Sequence, residues 1–118
     1  MVGTAPDVMH FLETIRKGGK PILSAATSGG MMRNQIGLLD GPQPGVRFGF
    51  GGAVVVDPAA ANTPQSQGTW LWGGIYGHTW FVDPARKLTV VAFTNTGLEG
   101  MWGKFTTDLR DVVYETIR

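Results

Sequence analysis

The 118-residue chain contains no cysteine, which excludes disulfide staples and thiolate metal sites. It leaves the redox compartment open, because that absence suits either side of a membrane. Charge is scarce as well. Asp, Glu, Lys and Arg make up 16% of residues, against ~25% in an average soluble domain, so the solvated surface is thin and a covered face is expected. Neither sign dominates: ten basic residues stand against nine acidic ones, and the basic ones are scattered from Arg16 to Arg118 rather than massed. Without a basic patch, nucleic acid is not an expected partner. Apolar runs fall far short of the ~20 residues that span a bilayer, and no secretory signal pattern is visible. Neither a membrane partner nor a localisation is therefore read from this chain. No motif implies a cofactor.

What remains is one domain's worth of polypeptide, 42% apolar, with 18 glycines and four tryptophans. A chain of this length buries roughly two-thirds of the surface its unfolded form exposes, enough for one modest core. Thr4-Ala5-Pro6-Asp7 reads as a capped helix start, and Val8, Phe11, Leu12 and Ile15 follow at helical spacing until Gly18-Gly19 stops them. Ser24 is a candidate cap for a shorter helix over 25–34, although Gly29-Gly30 in its middle costs about 1 kcal/mol per glycine relative to alanine. The stretch from Gly37 to Arg47 reads as loop.

Four runs rich in valine, threonine and aromatics then predict strands: Phe48 to Val56, Thr69 to Gly73, Gly77 to Asp83 and Leu88 to Asn95. Their connections suggest an antiparallel meander. Val56-Asp57-Pro58-Ala59 and Val82-Asp83-Pro84-Ala85 are two copies of a strand-ending turn, and the polar segment 62–68 is the expected mobile loop. A helix from about Trp102 closes the chain, with Trp102, Phe105, Leu109, Val112, Val113 and Ile117 as its apolar face. Both faces of Leu88 to Asn95 are apolar, so that strand is expected to be buried on both sides. With the two amphipathic helices side by side over one sheet face, the other is left largely bare. A bare apolar face predicts a partner surface.

Several motifs invite chemistry. Gly49-Phe50-Gly51-Gly52 is no dinucleotide fingerprint, since Val54 stands where a glycine is needed and a strand follows; it reads as a bulge or a close approach within a strand. Ala26-Thr27-Ser28-Gly29-Gly30 is a loose nucleophile elbow, with His78 and Asp83 as base and orienter, but it lacks a strong preceding strand. His10 and Glu13, one helical turn apart, read as a surface pair rather than metal ligands. The stretch "WGGIYGHTWFVDP", Trp72 to Pro84, is the most informative. An aromatic strand ending in Gly73-Gly74, turning at Ile75-Tyr76 and returning offers a strand edge where a ligand carbonyl can approach a backbone amide closely. The competing reading is a purely structural aromatic cluster.

The sequence from Phe48 to Asn95, containing "GGAVVVDPAAANTPQSQGTWLWGGIYGHTWFVDPARKLTVVAFTN", resembles the C-terminal part of serine hydrolases of the β-lactamase and penicillin-binding-protein fold, most closely the class C-like carboxylesterases. The stretch "TAPDVMHFLETIRKGGKPILSAATSGGMMRNQ" is similar to the segment preceding that sheet. The resemblance implies that Trp72-Gly73-Gly74 stands for the family's third active-site motif. Ile75 would then supply a catalytic oxyanion donor through its N–H, and Trp72, Gly73, Gly74 and Tyr76 would line the substrate site. It also exposes what is missing. Ser24, Ser28 and Ser66 are followed at the third place by Thr27, Met31 and Thr69, so no Ser-x-x-Lys is present, and neither Tyr76 nor Tyr114 has asparagine two places on. The expectation is an α+β domain, an antiparallel sheet flanked by N- and C-terminal helices. It would form the C-terminal portion of a hydrolase acting on small carboxylic esters, its partner being the N-terminal portion that carries the nucleophile. The rival expectation is a non-enzymatic module that forms a homodimer or binds a protein through its open sheet face.

Overall fold

A computed structural model describes residues 2–118. The first helix, α1 (Ala5–Arg16), begins as the sequence dictates: the Asp7 N–H donates to the Thr4 side chain, and the Asp7 carboxylate accepts from the Thr4 N–H. Gly18 and Gly19 adopt left-handed conformations, and the Gly19 N–H closes on the Thr14 carbonyl, which ends the helix. Ser24 caps α2 (Ala25–Met31), which stops three residues short of the expected end; the Gln35 N–H is drawn instead to the carbonyl of Phe48.

The sheet has five strands, not four: β1 (Val46–Phe48), β2 (Ala53–Val55), β3 (Trp70–Gly74), β4 (His78–Asp83) and β5 (Leu88–Phe93). They run as an antiparallel meander in chain order. The expected single strand Phe48 to Val56 is a hairpin. Its turn is the Gly49–Gly52 segment, closed by the Gly49 N–H on the Gly52 carbonyl at 2.9 Å, with Gly51 at φ 73°. These glycines mark a reversal rather than a bulge, and β1 recruits Val46 and Arg47 from the predicted loop.

Strand periodicity separates the two faces. Val54, Trp70 and Val82 lie on one face, where Leu12 and Ile15 of α1 complete the core and Val8, Leu23, Met31, Trp80 and Val91 pack around it. Leu71, Gly73, Thr79 and Phe81 lie on the other, beneath α3 (Glu99–Trp102) and α4 (Lys104–Thr116). The amphipathic helices thus take opposite faces instead of lying side by side. The arrangement is visible in α4: it presents Tyr114 to the sheet, where its ring stacks on Phe81, keeps Leu109 and Val113 half-buried, and leaves Phe105 and Val112 exposed, as are Trp102 at the end of α3 and Ile117 just past α4. Nor is β5 buried twice. It is the sheet edge, half-buried along its length, and Phe93 is exposed.

The segment 62–68 is held rather than loose. Its anchor is the Asp83 carboxylate, fully buried, which accepts from the Ser66 N–H and the Tyr114 hydroxyl through Oδ2 and from the Arg86 N–H through Oδ1. Burial opposes ionisation of Asp83, but these hydrogen bonds outweigh it and hold the carboxyl below its ordinary value. Burial, reinforced by the neighbouring carboxylate, pushes the Tyr114 hydroxyl above its ordinary range. On α1, the Arg16 guanidinium holds Glu13 down to about 2 against partial desolvation, with Thr89 of β5 and Lys17 assisting. Glu13 is thereby committed to structure.

A carboxyl depressed in the native state stabilises above its unfolded pKa and loses that contribution as pH falls through the native value. Both acids have this sign, so urea midpoints are expected to fall as pH drops from about 5 toward 2, the span bounded by the ordinary carboxyl range and the Glu13 value. Tyr114 has the opposite sense, its contribution fading as pH rises above about 10. Tyr114→Phe, which deprives a buried carboxylate of one donor, should cost about 2 kcal/mol at pH 7 by urea denaturation. That loss should shrink at pH 3; an equal loss at both values would show that the ionised carboxylate is not what Tyr114 serves.

Candidate functional site

The β3–β4 hairpin turns over four residues, Gly74 to Gly77, with the Gly77 N–H donating to the Gly74 carbonyl at 2.9 Å. Gly77 takes φ 111°, a conformation open to glycine, and an added Cβ there would run into Thr94 and Thr96. Ile75 and Tyr76 form the tip, both exposed, Tyr76 at 82%. The sequence-predicted site residues Trp72, Gly73, Gly74, Ile75 and Tyr76 are therefore brought together on one strand end and its turn.

Each member of the glycine pair answers to a different face. A side chain on Gly73 would meet the Met101 side chain of α3 and the His78 carbonyl, whereas one on Gly74 would occupy the position of the His78 imidazole itself. His78 lies directly across from Gly74 in the register and packs on its far side against Phe93, ring centroids 5.5 Å apart. The sheet face above Gly74 is thus filled by the chain's own histidine, and the glycines do not by themselves open a notch there.

The open approach is along the strand edge. The Val55 N–H donates to the Thr69 carbonyl, which places the backbone groups of Thr69, and by two-residue alternation Leu71 and Gly73, on the β2 side of β3. β2 begins at Ala53, opposite Leu71, so Trp72, Gly73 and Gly74, paired with β4 on one side, have no strand beside them on the β2 side. The same alternation carries the Ile75 N–H to this free edge, and that N–H meets no acceptor among the described residues. Beside it, Trp72 is 39% exposed and touches Phe48, ring centroids 5.7 Å apart, while Phe50 and Phe93 are also exposed. The result is a shallow aromatic surface with an unpaired amide at its rim. Such an arrangement can donate to a ligand oxygen and pack against an apolar group.

Phe50 and Phe93 were not legible as members of this surface. The sequence places Phe50 within one continuous strand and Phe93 on a strand expected to be buried on both sides; the glycine-rich turn is the signal for the first.

The elbow reading of Ser28 fails on geometry. Ser28 is fully buried within α2, its hydroxyl donates to the Ile15 carbonyl at 2.5 Å, and no strand precedes it. His78 and Asp83 occupy opposite ends and opposite faces of β4, so they cannot act together as base and orienter. Among the described residues no three His, Asp or Glu side chains converge as metal ligands. A concavity of about 200 Å³ lies on the other sheet face, between Leu71, Phe81, Met101 and Arg110, and an open one of about 450 Å³ lies beside Pro64, Tyr114 and Arg118. Both are away from the Ile75 amide.

Comparison with known proteins agrees with this architecture. The chain is 48% identical over 115 residues to Esterase EstB of Burkholderia gladioli, an alignment covering 97% of this chain and 29% of that protein. It superposes with a TM-score of 0.89 on the solved structure of EstCE1, described as a hydrolase with promiscuous acyltransferase activity, at 48% identity, covering 95% of this chain and 30% of that one. The chain therefore spans less than a third of the length of either relative. A family model described as Beta-lactamase matches residues 1–112, and the chain belongs to the beta-lactamase family.

Proposed function

We propose that this chain is the C-terminal portion of a serine hydrolase and forms one wall of its acyl site, cleaving small carboxylic esters through an acyl-serine whose hydroxyl comes from the N-terminal portion. The observation that carries this reading is the unpaired Ile75 N–H on the β3 edge beyond β2, flanked by exposed Trp72. An amide held rigidly at a strand end is the kind of donor that stabilises a developing oxyanion, and it costs no reorganisation when the charge forms. Trp72 and Tyr76 supply apolar wall, and the close-packed Gly73 and Gly74 hold the edge in place. A neutral tryptophan gives no charged partner to a substrate carboxylate, which favours esters over anionic substrates.

Two uncovered apolar surfaces support a partner polypeptide of the same hydrolase. One is the aromatic end of the sheet around Phe50, Trp72 and Phe93; the other is formed by Trp102 at the end of α3 with Phe105 and Val112 of α4. Relatives of roughly three times this length contain enough additional chain to cover both. The stripe on α4 equally suits a second copy of this chain, a different surface from the open sheet face on which the interaction-module expectation rests.

Mixing this chain with the N-terminal remainder of Esterase EstB is expected to generate p-nitrophenyl butyrate turnover that neither piece shows alone. Ile75→Pro should then lower kcat by about 10²-fold or more while leaving the circular dichroism spectrum intact. Ile75 stands at the second position of the turn, where proline is accommodated, so the change deletes the N–H rather than the turn. Trp72→Ala should raise KM more than it lowers kcat. A closed dimer in light scattering that gains no activity from the added piece would favour the interaction module instead.

A further inference from the structure

The glycine at position 74 and the histidine at position 78 are a matched pair. An ideal Cβ on Gly74 would overlap His78 Nε2 and Cε1, so the imidazole lies flush over the β3 backbone. Phe93 closes its other side. Trp72, Gly74, His78 and Phe93 share one sheet face, since Gly74 pairs with His78, His78 with Phe93 and Trp72 with Trp80. Along β3, then, the exposed indole of Trp72 is followed by a residue with no side chain of its own, and the volume above that residue is occupied by a ring borrowed from the neighbouring strand. On this face the imidazole therefore stands next after Trp72, over the residue that precedes Ile75.

From this arrangement we infer that His78 determines specificity in the proposed acyl site: its ring is the end wall that limits the length of the acyl chain accepted beside Trp72. This rests on the proposed hydrolase function. It differs from the role of Ile75 because the ring acts by occupying space, with no proton transferred and no charge required. Glycine at position 74 is what allows that wall to sit so low. Any larger residue there would displace the ring toward solvent.

The test compares p-nitrophenyl acetate, butyrate and octanoate in the reconstituted hydrolase. In His78→Ala the octanoate-to-acetate ratio of kcat/KM should rise about tenfold or more, the scale on which a pocket discriminates by shape. In His78→Phe, which restores a planar ring, the ratio should return to within about twofold of the parent. A uniform fall across the series in His78→Ala would overturn the inference and leave only a packing role. So would a ratio in His78→Phe as high as in His78→Ala. In the chain alone, the Gly74 Hα resonances should carry a ring-current displacement that His78→Ala removes; its absence from the parent chain would also overturn the inference. Failure of the parent mixture to turn over any ester would overturn the hydrolase reading and this one together, and it is seen before any His78 variant is assayed.

Discussion

A single buried carboxylate holds three distant stretches of this chain in one arrangement. An uncompensated charge inside a protein is very costly, so Asp83 can be fully buried only where donors reach it from several sides. Those donors come from the turn after β4, from the segment leading into β3, and from α4, seventeen and thirty-one residues away in sequence for the last two. The long β2–β3 connection is therefore not free to move, and α4 is oriented by Tyr114 rather than by its apolar residues. That orientation turns the outer stripe of α4 away from the sheet.

The same register constraint reaches the candidate site. With the end of β4 fixed at Asp83, its start at His78 is set against Gly74, and the hairpin tip projects beyond the shorter β2. The two glycines then act through packing: one admits Met101 from α3, the other admits the imidazole from β4. Close packing on both faces makes the strand end rigid, while its edge keeps unpaired backbone. A rigid, unpaired amide is useful to catalysis for the reason that it is expensive elsewhere, because its hydrogen-bonding capacity is held ready for a ligand.

Much of the fold was legible locally. The capping box at Thr4 and Asp7, the Gly18-Gly19 stop, the Ser24 cap and the meander of strands are decided by neighbours in sequence, and they appear where spacing and side-chain chemistry put them. The four-residue turn at Gly49–Gly52 is ambiguous in sequence because glycine within a valine-rich run marks either a bulge or a reversal, and only the Gly49–Gly52 hydrogen bond distinguishes them. The helical faces were misassigned for a different reason. Periodicity identifies an apolar stripe but not whether the same chain supplies its cover, and in α4 it does not.

Sequence by itself determined the helix caps, the last three strands, the lack of a Ser-x-x-Lys nucleophile and the cluster Trp72 to Tyr76, because each depends on residues within a few positions of one another. Tertiary structure decided which face each helix takes, that Asp83 is a buried anchor while Asp57 in the matching turn stays exposed, that Ser28 is sequestered, and that His78 rather than a ligand fills the space over Gly74. The physical reason is that desolvation and close packing are settled by atoms brought together from across the chain, and identical local turns carry no record of which one will be buried.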